Sequence, residues 1–156
     1  MVKDRSILIT ASLLAFILGL MYIVSGSLCI HNWIISSLIN GKVILKQFIP
    51  PDPWLGIVLV SIGLTYSASA YYLMRGNTVL SIASILVGGG LAITVMCLQV
   101  LATLAYIADE LIVNEELRLN AIISNLLRID GILGYVSLIP FLLGYKFYKE
   151  MKKLTT

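Results

Sequence analysis

The chain has 156 residues, 59% of them hydrophobic and 12% charged, with 11 Lys and Arg against 8 Asp and Glu. A soluble domain carries about 25% charged residues, so this composition, with its mean hydropathy of +0.97, excludes an ordinary soluble fold. The net charge of +3 sits mostly in the C-terminal tail "KFYKEMKK", where it suits anionic lipid, and gives no reason to expect nucleic acid as a partner.

Asp, Glu, Lys and Arg are absent from four stretches, 6–41, 53–74, 76–108 and 131–145. A helix crosses roughly 30 Å of hydrocarbon with about 20 apolar residues, and the first three stretches are long enough outright. The fourth reaches spanning length once Lys146 and Lys149 extend their ammonium groups to the headgroups from the last turn. The expected fold is therefore all-α, an integral membrane four-helix bundle with spans near 7–30, 54–74, 78–106 and 131–148. Outer loops then cover 31–53 and 107–130, and the chain 1–156 is a single membrane domain.

The first apolar run exceeds the core of a signal peptide and is not followed by an Ala-x-Ala cleavage pattern, so it is expected to stay as a span. Ala11, Ala15 and Gly19 recur every four residues along it and give one face of small side chains. In the loop that follows, Trp33, Ile34, Ile35, Leu38 and Ile39 fall at helical spacing, and Asn40-Gly41 marks a turn. The run "KVILKQFI" is compatible with a short strand or an interfacial turn, because periodicity cannot separate the two at that length. Pro50, Pro51 and Pro53 stop what precedes them, and Asp52-Pro53 starts the second helix with an N-cap and a proline at its first position. Trp33 and Trp54 fall at the outer interface, where tryptophan is enriched.

Along the second span Gly56, Gly63, Ser67 and Tyr71 follow one face, and Ser61, Thr65 and Ser69 form a polar line at intervals of four. "MRGNT" is a tight turn, so the second and third spans form an antiparallel hairpin, with Tyr71, Tyr72 and Arg75 as an inner belt. This hairpin, "GIVLVSIGLTYSASAYYLMRGNTVLSIASIL", resembles one frequent in small prokaryotic tetraspan proteins, a resemblance that implies no activity. The third span carries Ser84, Gly88 and Ala92 on one face and the triplet Gly88, Gly89 and Gly90 near its middle. Each glycine costs a helix roughly 1 kcal/mol against alanine. Three together fit either a crossing point of two neighbouring helices or an unwound segment exposing carbonyls to an ion path.

Nothing breaks the helical pattern between Thr78 and Asn114, so the third helix is expected to run on beyond the bilayer as a stalk. Leu119, Ile122, Ile123, Leu126 and Leu127 then make an apolar stripe opposite Asn120, Ser124 and Arg128, the mark of an outer amphipathic helix suited to a partner. Glu115 and Arg118 are spaced to pair on its surface. Gly131 and Gly134 open the fourth span, and Pro140 interrupts its backbone bonding.

With the N-terminus inside, Lys3, Arg5, Arg75, Lys146, Lys149, Lys152 and Lys153 are cytoplasmic, against Lys42, Lys46, Arg118 and Arg128 outside. That bias favours both termini in the cytoplasm and a multi-pass protein of the plasma membrane.

Chemistry is scarce in the same residues. Intramembrane charges mark proton relays and ion paths, and the expected spans hold none. The four-span size is that of the membrane-associated eicosanoid and glutathione enzymes, but the charged intramembrane arginine and glutamate of that family are missing. A single histidine, His31, rules out bis-histidine haem ligation within one chain, and no Cys-x-x-Cys is present. Cys29, His31 and Cys97, with Met96 alongside, are the weak candidates for a soft-metal site, and Cys29 and Cys97 are alternatively a disulfide.

The leading expectation is a non-catalytic accessory or assembly subunit of a larger plasma-membrane complex, without a cofactor. Its partners would be the lipid bilayer and other integral membrane subunits or further copies of itself. Two alternatives stand beside it. One is a homo-oligomeric channel or facilitator lined by Gly88, Gly89, Gly90, Ser61, Thr65 and Ser69; the other is an outer-leaflet metal or thiol redox protein at Cys29, His31 and Cys97.

Overall fold

The structure, a computed structural model, describes residues 2–39, 41–45, 48–113, 122–123, 125 and 127–155. Four long helices account for most of them: α1 (Val2–Ile34), α2 (Pro53–Met74), α3 (Thr78–Val113) and α4 (Ile129–Thr155). No strand occurs among the described residues, so "KVILKQFI" does not extend a sheet where it is described. Each of the four helices is long and apolar enough to cross a membrane. α1 and α4 overrun the expected spans at both ends, α2 by one residue at its start and α3 at its end only, because interfacial residues continue the helix while the Gly76-Asn77 turn holds the α2–α3 boundary where it was expected.

Helices adjacent in sequence pack against one another, and α1 closes the ring against α4. Contacts run antiparallel throughout, from Gly19 with Gly63 to Gly26 with Gly56 between α1 and α2, and from Gly144 with Ile85 to Gly134 with Met96 between α3 and α4. One end of the bundle therefore carries both chain termini and the α2–α3 turn; the other, the loop end, carries both long connections.

Local chemistry sets the element boundaries. Asp52 caps α2 by accepting from the Trp54 and Leu55 amides at 3.0 and 3.1 Å, with Pro53 in the first turn. At the other end Gly76 takes φ +75°, the left-handed conformation that glycine adopts without strain. There the Asn77 amide reaches the Tyr72 carbonyl at 2.9 Å and the Gly76 amide that of Leu73 at 2.9 Å, the pair of bonds that closes a helix C-terminus. Asn77 then caps α3 by accepting from the Leu80 amide at 3.1 Å. Arg75 lies over the Tyr71 ring at 4.6 Å, and Tyr72 packs edge-on against Tyr71. Past Ile34, α1 widens into a π-helical turn over Ile35–Ile39. α4 continues through the buried Pro140.

The interior is small and hydroxyl-rich, while the exterior of the helices is large and apolar. Ala11, Ala15, Gly19, Gly26, Gly56, Gly63, Gly88, Gly89 and Ala92 are buried. Leu13, Val24, Leu64, Val87, Leu98 and Leu142 stand exposed. That inversion suits a bundle solvated by lipid, where helices associate through close backbone packing. Tyr22, Leu59, Ile62, Tyr66, Ile85 and Leu133 fill the middle, and Leu8, Ile82 and Phe147 form a second cluster toward the termini.

Candidate functional site

The glycine triplet lies within unbroken α-helix. A Cβ at Gly88 would meet the Tyr66 ring of α2 at 3.0 Å, and one at Gly89 would meet Phe141 of α4 at 2.8 Å. Gly88 and Gly89 thus admit two neighbours on different faces of α3. Gly90 faces open space, with no atom within 4 Å of the position a Cβ would take. Gly90→Ala is accordingly expected to stabilise the protein by about 1 kcal/mol, the helix-propensity difference, as a raised unfolding midpoint in detergent. A loss of stability would show that the exterior at Gly90 is occupied.

Ser61, Thr65 and Ser69 do not line one path. Ser61 is exposed and Thr65 half-buried on the outside of the bundle, whereas Ser69 is fully buried. Each spends its proton on its own helix, Ser61 on the Ile57 carbonyl, Thr65 on that of Ser61 and Ser69 on that of Tyr66, at 2.7 to 2.9 Å. Thr94, also exposed, donates to Gly90 at 2.9 Å. A spacing of four residues rotates each successive position by about 40°, so the line turns from the bundle exterior into the core.

Interhelical polar contacts sit elsewhere. Ser137 of α4 donates to the Leu133 carbonyl at 2.8 Å, so its single proton is spent and Tyr22 Oη of α1 is the donor in their 3.1 Å contact. Ser12 and Ser81 join α1 to α3 at 2.9 Å. Tyr66 Oη is buried without a hydrogen-bond partner among the described residues.

At the loop end Asn32, fully buried, binds the first loop. Its amide nitrogen donates to the Ile44 and Ile49 carbonyls at 2.8 and 3.1 Å, and its oxygen accepts from the Ile44 amide at 3.0 Å. Ile49 is thereby held in the core, and the Phe48 carbonyl accepts from the Ile129 amide at 3.2 Å, joining the loop to α4. Leu45, at φ 49°, makes the turn that folds this segment back. Gln99 donates to the Asn125 carbonyl at 2.9 Å and ties the second connection to α3. Arg128 grips the buried Asp130 through Nε and a terminal nitrogen at 3.2 and 3.3 Å. Asp130 lies in the first turn of α4, where the helix dipole favours a carboxylate.

Of the expected partner-binding residues, Leu119 and Leu126 lie outside the described residues. Ile122 is half-buried, and Ile123 and Leu127 are exposed one helical turn apart, with the Leu127 amide donating to the Ile123 carbonyl at 3.0 Å. For the metal candidates, Cys29 is buried, Cys97 and His31 are exposed, and both cysteines are free thiols. Among the described residues no group of three or more His, Cys, Asp or Glu side chains is placed to hold a metal ion.

Three features escape a reading of the sequence. Gly26 belongs to the α1–α2 contact, and its signal is the interval of seven that Gly19 and Gly26 share with Gly56 and Gly63. Asn32 is the loop anchor, and a lone amide at the end of an apolar run is its only mark. The Tyr22–Ser137 contact leaves no local trace. No family model, no curated protein and no solved structure matches this chain.

Proposed function

We propose that the chain is a non-catalytic subunit of a larger plasma-membrane assembly, with both termini cytoplasmic and its partner engaged at the loop end, on the outer face. The observation that supports this reading is the apolar surface at the far end of α3. At about 1.5 Å per residue the 36 residues of α3 span roughly 54 Å, well beyond the roughly 30 Å of hydrocarbon. Leu111 and Ile112, the latter 82% exposed, stand in that overhang, and Ile123 and Leu127 add exposed apolar side chains on the connection that follows. Apolar surface that lipid does not cover marks a protein interaction. The small faces of α1 and α2, by contrast, are already consumed within the bundle.

Native mass spectrometry of the protein drawn from its own membrane at endogenous expression tests this. A stoichiometric partner lost in Ile112→Asp, with the variant still monodisperse, supports the reading. A wild-type protein that comes out alone overturns it.

A second reading, a homo-oligomeric channel or facilitator, draws on Ser61, Thr94 and Gly90, which lie on the bundle exterior and could line a path only between copies. Liposomes carrying the pure protein would then pass a specific small solute, and Ser61→Leu would block it. Gly89 is the wrong probe for that purpose, because any side chain there collides with Phe141.

A further inference from the structure

A groove opens at the loop end where α1 finishes and the first connection leads into α2. Its volume is about 580 Å³, and Trp33, Pro51, Asp52, Pro53, Trp54 and Ile57 line it. That size falls within the range of small-molecule sites, and both tryptophans of the chain are in its wall.

The lining selects by charge. A helix N-terminus would ordinarily invite an anion through its free amides, but those of α2 are taken. Trp54 and Leu55 donate to the Asp52 carboxylate, Gly56 donates to the Asp52 carbonyl at 3.1 Å, and Pro53 has no N–H to offer. Asp52 is the one ionisable residue of the lining, beside both tryptophans, and the face of an indole attracts cations, alkylammonium groups above all. Ile57, in the groove wall, and Leu64, seven residues on along the same face of α2, are both exposed, an apolar surface suited to an acyl chain.

We propose that this groove seats a phospholipid through its quaternary ammonium headgroup, with the cation between the indoles and Asp52 and an acyl chain along α2. The assignment rests on the reading of the chain as membrane-embedded with the loop end at an interface.

Because the tryptophans occur nowhere else, their emission reports this site alone. The protein is placed in phosphatidylglycerol nanodiscs containing a small fraction of acyl-dibrominated phosphatidylcholine, or the same fraction of dibrominated phosphatidylglycerol. Bromine quenches nearby indoles, and the expected result is at least fivefold stronger quenching per mole by the choline lipid. Asp52→Asn should remove most of that preference while preserving the helix by circular dichroism, since asparagine also serves as an N-cap.

Equal quenching by both lipids overturns the proposal, as does a preference that survives intact in Asp52→Asn. A saturable emission change with choline chloride alone, equal to that with the lipid, assigns the groove to a free cation and overturns the lipid. Failure of the protein to enter the discs at all overturns the membrane reading itself, whereas entry without preference removes only the headgroup assignment.

Discussion

Gly63→Leu is expected to push α1 away from α2 and to destabilise the bundle by about 3 kcal/mol, the upper end of what overpacking typically costs. A Cβ at Gly63 would lie 2.6 Å from the Gly19 carbonyl oxygen and 2.6 Å from Ile23 Cγ1, and the reciprocal Cβ at Gly19 would lie 2.8 Å from the Gly63 carbonyl. The obstruction is backbone on both sides, so no rotamer change relieves it. The same geometry repeats two turns away, where a Cβ at Gly26 would meet the Gly56 carbonyl at 2.6 Å. Leucine at Gly63 therefore breaks half of a two-point contact and strains the other half. Unfolding in mild detergent, followed by circular dichroism, should show the loss. Gly90→Leu serves as the control, because it adds the same side chain into open space. Similar midpoints for the two variants would mean that α1 and α2 are not joined at these glycines.

The second large effect is expected at Asn32. Asn32→Asp preserves shape and the acceptor for the Ile44 amide, but it replaces the amide donor with an oxygen facing the Ile44 and Ile49 carbonyls. A charged carboxylate placed against two carbonyls in a fully buried position is worse than a missing bond. A buried polar group left unsatisfied costs about 1–3 kcal/mol, and here two carbonyls lose their donor together. The readout is local as well as global. Amide exchange at Ile44, Phe48 and Ile49 should accelerate by at least tenfold, because Asn32 no longer holds their segment, and the unfolding midpoint should fall. Asn32→Asp with loop exchange like wild type would show that the loop is held by its apolar contacts alone. Since Trp33 is the next residue, the variant should also disturb the tryptophan environment of the groove.

Much of the architecture is legible locally. The four charge-free runs determined four helices able to span, since a charge in hydrocarbon is expensive and a helix needs about 20 residues without one to cross it. Asp52-Pro53 determined the start of α2, and Gly76-Asn77 determined both the end of α2 and the start of α3, because caps act within one turn of the chain. The continuation of α3 to Val113 followed from the lack of any breaker.

Tertiary structure alone decided what each face of those helices does. The polar line Ser61, Thr65 and Ser69 divides between bundle exterior and core, and the adjacent glycines Gly88, Gly89 and Gly90 meet α2, α4 and nothing. Whether Asn32 faces solvent or organises a loop depends on where Ile44 and Ile49 return, twelve and seventeen residues later. The physical reason is the solvent. In water, burial follows hydropathy and leaves a polar and an apolar stripe to read; in lipid, both sides of a helix are apolar and only side-chain size separates them. Small residues mark where helices can touch, but the register that pairs Gly26 with Gly56 rather than with any other small residue is set by long-range fit, which no local spacing contains.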